Sequence, residues 1–279
     1  MSRITMVAFV ALAAMACRAE TPLVQVAQAR DRSADLAVQF ITAADAANKA
    51  IMAETDEGSA TFVGVAKTAK QTVRSDIAAL QPILLDLQYT PESELLRGFA
   101  AQFEDYSTLD DQILALAAEN TNRKAQQLSF GPGFNEADAF RDAMDALTGA
   151  DAWHVKALAA TAVAAVREIQ AIQAPHIAEA GDAAMTEMEK RMSAAEASAR
   201  SALRELAPLV GAPRLATANA ALDRFMKAHA EITALSRRNT NVRSLALALN
   251  EKGKATGACE EKLRQLRDAL AKRGFTATR

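Results

Sequence analysis

A chain of 279 residues with 66 alanines, 5% aromatic residues, eleven glycines and seven prolines is composed for helix, because alanine has the highest intrinsic helix propensity. The formal net charge of −2 offers no basic excess, which argues against nucleic acid as a partner. Two cysteines, Cys17 and Cys259, are too few for a disulfide framework.

The chain opens with Arg3 and a 13-residue apolar run from Ile4 to Ala16, short for a bilayer span but right for a secretory leader covering 1–16. Ala14-Met15-Ala16-Cys17 leaves two processing routes open. Ordinary signal peptidase would cut after Ala16 or Ala19, whereas a lipobox reading makes Cys17 the lipidated N-terminus. The lipidated form is the one carried forward. It implies an exported, periplasmic protein attached to the membrane through Cys17, with 17–22 as a tether. No later stretch is apolar enough to be transmembrane.

Four helical segments follow. Leu23 to Leu87 is interrupted only at Thr55-Asp56-Glu57-Gly58, and Tyr89-Thr90-Pro91 marks a stop and restart, with Thr90 placed to cap and Pro91 suited to a first helical turn. Pro91 to Leu147 breaks at Phe130-Gly131-Pro132-Gly133, and Thr148-Gly149-Ala150-Asp151 is the next turn. Asp151 to Val210 carries Pro175 and Gly181 as kink sites, and Gly211-Ala212-Pro213 is the third turn. Arg214 to Leu270 is interrupted at Gly253 to Gly257. Each segment would be roughly 90 Å long as continuous helix at about 1.5 Å per residue.

An internal repeat ties the segments together. Arg74-Ser75, Leu80, Pro82 and Ile83 match Arg200-Ser201, Leu206, Pro208 and Leu209 at an offset of 126. Asn120-Thr121-Asn122 matches Asn239-Thr240-Asn241 at an offset of 119. The offsets differ by one heptad, which keeps the same face inward. The expected fold is all-α: an elongated antiparallel up-down four-helix bundle built from a duplicated helical hairpin (23–148 and 149–273). Breaks at Gly58, Gly131, Gly181 and Gly253 would fall at similar heights and form a waist dividing the rod into two stacked modules; the alternative is two separate bundles of shorter helices split near Gly149, each with its segments folded back at those breaks.

The two Asn-Thr-Asn triplets fall where the apolar seam expects hydrophobic residues. Buried amides need partners, so two readings stay open. In one, the triplets bond each other or trapped water and fix helix register. In the other, Asn120, Thr121, Asn122, Asn239, Thr240 and Asn241 line a cavity for a small polar ligand. Lys124 and Arg243, four residues after each leading Asn, would then favour an anion. The three histidines have no metal-type companions, and His176-Ile177-Ala178-Glu179 reads as a solvated face. Met185, Met188 and Met192 read as core packing, and Cys259 as a small apolar seam residue. No nucleophile–base arrangement or phosphate loop is present, so no enzyme, metal or other cofactor is expected.

The run Leu235-Ser236-Arg237-Arg238-Asn239-Thr240-Asn241-Val242-Arg243-Ser244-Leu245-Ala246-Leu247, with Lys252 shortly after, resembles the last helix of the four-helix-bundle sensor domains of methyl-accepting chemotaxis receptors. A weaker echo lies at 113–129, and the length and waist are similar to the helical bimodular variant. The resemblance implies an extracytoplasmic bundle that binds small organic acids between long helices and often dimerises. A receptor's transmembrane helix and signalling hairpin find no counterpart after the bundle, so such a module would act through a partner. The expected function is therefore an exported, lipid-anchored helical bundle that binds a small ligand or an envelope protein. A structural spacer or interaction protein with no small ligand is the rival expectation.

Overall fold

The computed structural model describes residues 21–147 and 153–276. The leader, Cys17 and the turn from Thr148 to Asp151 lie outside the described residues. Among those described, the chain is helical throughout and contains no strand, as its alanine content expects.

In chain order the helices are α1 (Pro22–Met52), α2 (Asp56–Asp86), α3 (Thr90–Glu119), α4 (Thr121–Leu128), α5 (Phe134–Asp145), α6 (Trp153–Ala178), α7 (Asp182–Val210), α8 (Ala212–Arg238), α9 (Thr240–Leu247) and α10 (Gly253–Thr276). Short π-helical stretches, Ser129–Gly133 and Ala248–Lys252, join α4 to α5 and α9 to α10. They too are separated by 119 residues, so the repeat extends to the irregular backbone. Proline sits in the first turn of α1, α3 and α8, where its missing N–H is no loss.

Side-chain bonds fix the course of the chain. Arg30 near the start of α1 donates to the carbonyls of Leu270 and Ala271 at the end of α10, at 3.1 and 2.8 Å. Glu92 at the start of α3 accepts from Arg273 at 2.8 Å. Ser59 at the start of α2 donates to Ala117 O at the end of α3. Arg214 at the start of α8 reaches Ala146 O just past α5. Two antiparallel four-helix modules result, one of α1, α2, α3 and α10 and the other of α5, α6, α7 and α8, stacked end to end. Two long helical paths, 90–145 and 212–276, run through both modules and measure about 85 and 95 Å at about 1.5 Å per residue.

Each module has its own core. Phe40, Phe99, Phe103 and Tyr106 form a fully buried ring cluster in the first, with centroids 5.0–6.3 Å apart. Phe140, Met144, Met192 and Phe225 fill the second. Between the two, Ala125, Ile177 and Ile232 make a small apolar plug.

The helices take a different route from the one expected in segments one and three. Neither is a single rod: α1 and α2 turn back on each other at Ala53–Thr55, and α6 and α7 do so at Glu179–Gly181. The Thr55 hydroxyl accepts from Gly58 N at 3.0 Å and starts α2 afresh, so that interruption is a hairpin tip. Each half, 21–147 and 153–276, is thus a hairpin plus one long helix that crosses into the other module. Consequently the Tyr89 elbow lies beside the start of α1 and the end of α10, and the Gly211 elbow at the opposite tip. Gly131 lies in the first π-helical stretch and Gly253 opens α10 just after the second, both beyond the waist and on opposite sides of it.

The Tyr89 elbow is closed by Gln88 N–H on Leu85 O and Tyr89 N–H on Leu84 O, both 2.9 Å, a Schellman pattern. Thr90 begins α3 and does not cap it. Gln88 takes the left-handed position at φ 58°, where glycine is the unstrained choice, as Gly211 is at the other elbow with φ 81°. Gln88→Gly is therefore expected to raise stability by about 0.5–1 kcal/mol in urea unfolding.

Candidate functional site at the waist

Asn120 and Asn239 interrupt the two long helices by adopting left-handed backbone, φ 52° in both. Asparagine tolerates this conformation better than other side-chain-bearing residues, because its short amide bonds locally. An interruption of this kind leaves the first N–H groups of α4 and α9 without partners four residues back. The opposite helix supplies them. Thr121 N–H donates to Thr240 Oγ1 at 3.1 Å and Thr240 N–H to Thr121 Oγ1 at 3.2 Å. Asn122 N–H donates to Asn241 Oδ1 and Asn241 N–H to Asn122 Oδ1, both at 3.1 Å. The repeat thus becomes a pseudo-twofold joint in which each long helix caps the other.

The side-chain amides donate within the same layer as well. Asn122 Nδ2 donates to Ile177 O at 2.7 Å and to Asn239 Oδ1 at 2.8 Å. Asn239 Nδ2 donates to Glu179 O, Asn241 Nδ2 to Asn120 Oδ1 and Asn120 Nδ2 to Asp56 Oδ1. The two hairpin tips are thereby bonded to the joint. Asn120, Thr121, Asn122, Asn239 and Thr240 are buried, with Asn241 partly so. None of the clefts described in the protein is lined by these residues.

Lys124 joins the layer from the side, bonding Asp56 at 3.0 Å and Glu119 O at 2.9 Å. The Lys124 bond, and then that from Asn120, hold the Asp56 carboxyl below its ordinary value. Arg243 does not join: its side chain is exposed, because α9 turns that position outward. The fold thus brings seven of the eight singled-out residues together and pairs them within the layer.

A second polar cluster, in the first module, was not singled out from sequence. The Asp110 carboxylate lies between Lys70 Nζ at 2.8 Å and Lys252 Nζ at 2.9 Å, and all three side chains are at most 3% exposed. Lys70 also pairs with Asp111 at 2.6 Å. Burial pushes the Lys252 ammonium below its ordinary value, more than Asp110 draws it up. Burial, and then the Asp110 charge, hold the Tyr106 phenol above its own. This cluster ties α2, α3 and the second π-helical stretch together.

The second module carries a different set. His176 is 1% exposed and bonds Ser236 Oγ at 2.8 Å and Glu189 Oε1 at 3.0 Å, so it is no part of a solvated face and its partner is not Glu179. Arg237 pairs with the same Glu189 at 2.6 Å, which chiefly holds that carboxyl below 4.5. His229 meets Gln173 at 3.3 Å, and burial pushes it below its ordinary 6.5 against the pull of Glu196. Both shifts act in one direction. A depressed folded value means that the unfolded chain takes up the proton first, so stability present above pH 6.5 is lost as pH falls through the folded value. The urea midpoint should fall from pH 7 to pH 5, and His229→Phe should flatten that slope. Glu189 adds a further loss below pH 4.5.

Met185 and Met192 are buried in the bundle, and Met188 packs against the second core. Cys259 is fully buried, and burial with Asp105 and Glu260 pushes its thiol up to about 12. Among the described residues, no group of three or more His, Cys, Asp or Glu could hold a metal ion, and no helix is long and apolar enough to cross a membrane.

Compared with known proteins, the chain matches no family model, no curated protein and no solved structure.

Proposed function

We propose that the chain is an exported, lipid-anchored helical spacer that holds a partner-binding tip at a fixed distance from its chain ends. The carrying observation is the joint. Buried amides and hydroxyls of both long helices bond one another and the hairpin tips, which supports a register lock. The leader pattern ending at Cys17 supports export and anchoring, and an envelope protein is the partner this reading implies. It implies no enzyme activity and no nucleic-acid partner.

A sensor-type reading has one observation in its favour: two modules threaded by the same two long helices, a route by which a ligand in one module could move the other. Its ligand would have to sit away from the joint. Spin labels at the exposed Asp86 and Glu205 positions distinguish the two. A rigid spacer gives one narrow distance near about 75 Å, estimated at about 1.5 Å per residue along both modules. Acetate, succinate and amino acids should leave it unchanged. A ligand-dependent shift would favour the sensor reading instead.

A further inference from the structure

The repeat that builds the joint also sets two unlike outer faces at equal distances from it. Between α6 and α7 the outer side holds a groove of about 470 Å³, floored by Ala165 and Ala195. Its walls, Thr161 and Ala164 on α6 and Ala194 and Ser198 on α7, are exposed, short and uncharged. Glu168 and Arg191 line it too and pair with each other at 3.4 Å, so the groove offers no net charge. At the repeat offset of 126 residues, Ala164 corresponds to Val38 and Arg191 to Val65. The α1–α2 hairpin therefore carries branched aliphatic side chains where the α6–α7 hairpin carries the groove. Val38 and Val65 are 58% and 42% exposed, and Ile41, one turn from Val38, is 56% exposed.

Both faces look the same way. A pseudo-twofold that exchanges two antiparallel helices runs perpendicular to their common plane, so it keeps the two hairpins on one side of the long pair. Both hairpin tips bond the joint. Val38 and Ala164 each lie 17 residues before the equivalent tip residues Thr55 and Gly181, about 25 Å away at about 1.5 Å per residue. A twofold across the rod then lays the aliphatic face of one copy on the groove of another, and symmetry repeats the contact at the other module. We infer that the protein pairs with a second copy of itself, antiparallel, through the outer faces of α1–α2 and α6–α7. Valines facing an alanine groove give the large-against-small fit of packed helices, whereas a parallel pair would set valine on valine and groove on groove. A face two helices wide, about 20 Å, needs to match over only about 40 Å to bury the ~800 Å² per partner of a standard interface. The inference does not rest on the spacer reading, and it places the α1 starts of the two copies at opposite ends of the pair.

The test is sedimentation of the full chain, which should be largely dimeric at about 50 μM, a concentration that interfaces of this size ordinarily satisfy. Val38→Glu and Ala164→Arg, both at exposed positions outside the two cores, should each raise the dissociation constant about tenfold or more. An equimolar mixture of the two variants should pair more tightly than either alone, since one contact then sets Glu against Arg and the other keeps the native side chains. Chain spin-labelled only at position 86, mixed with chain labelled only at position 205, should show a distance under about 40 Å, a few helix diameters. A parallel pair would show roughly the length of the rod instead. For the doubly labelled chain, dilution with unlabelled chain leaves only the distance within one copy. The inference is overturned if the chain is monomeric at that concentration, if neither substitution weakens the dimer, if the mixture pairs no better than the single variants, or if the distance between copies is that of the parallel pair.

Discussion

Asp110→Ala is expected to destabilise the protein by about 3–5 kcal/mol in urea unfolding, the cost typical of stripping one partner from a buried ion pair. The carboxylate is fully buried and faces two ammonium groups, each 3% exposed. The loss should not be shared equally between them. Lys70 keeps Asp111 at 2.6 Å, a partner that is 56% exposed and reaches water. Lys252 keeps Ala44 O and the Asn48 side chain, both at 3.4 Å, and the Tyr106 ring at 5.7 Å, but no carboxylate. Adding Lys252→Met to Asp110→Ala should therefore recover more stability than adding Lys70→Met. Replacing all three by apolar residues of similar volume should come closer to the parent than Asp110→Ala alone, since desolvating three charges offsets much of their attraction.

Asn122→Leu should lose about 3 kcal/mol or more, although it places an apolar side chain on what the sequence presents as an apolar seam. It orphans Ile177 O, Asn239 Oδ1 and the Asn241 N–H together, and each such group costs about 1–3 kcal/mol when buried without a partner. The threonines offer a cleaner measurement. Thr121→Val and Thr240→Val each remove the hydroxyl that caps the opposite helix. The double variant should lose less than the sum of the singles, because the two hydroxyls also bond each other at 3.1 Å. Strict additivity would mean that the caps act independently.

Much of this architecture was legible in the sequence, for reasons that particular residues make clear. Alanine content fixed the helical class, and the 119-residue offset between the Asn-Thr-Asn triplets placed them on equivalent inward faces of a duplicated chain. The turns at Tyr89 and Gly211 carried proline and glycine, which leave a mark in any sequence. The fold-back of α1 onto α2 left no comparable mark. Thr55-Asp56 starts a helix equally well after a kink or after a reversal, and the choice belongs to the packing of Phe40 against Phe99 and Tyr106. The breaks in the long helices were hidden too, because a left-handed asparagine is spelled like any other. Lys70, Asp110 and Lys252 are 40 and 142 residues apart in the chain, and each looks like part of a solvated face until α2, α3 and the second π-helical stretch are laid together. Arg243 failed in the opposite sense: its spacing from Asn239 matches Lys124 from Asn120, but only Lys124 has a hairpin-tip acid, Asp56, within reach.

The joint itself is most directly tested by amide hydrogen exchange at Thr121, Asn122, Thr240 and Asn241. The opening N–H groups of a helix ordinarily exchange quickly, because nothing within the helix holds them. Here all four should be protected nearly to the level of global unfolding, and Asn122→Leu should release the Asn241 amide selectively. Exchange of the four amides at the rate of frayed helix ends would show that the long helices do not cap one another, and would contradict the lock on which the spacer reading rests.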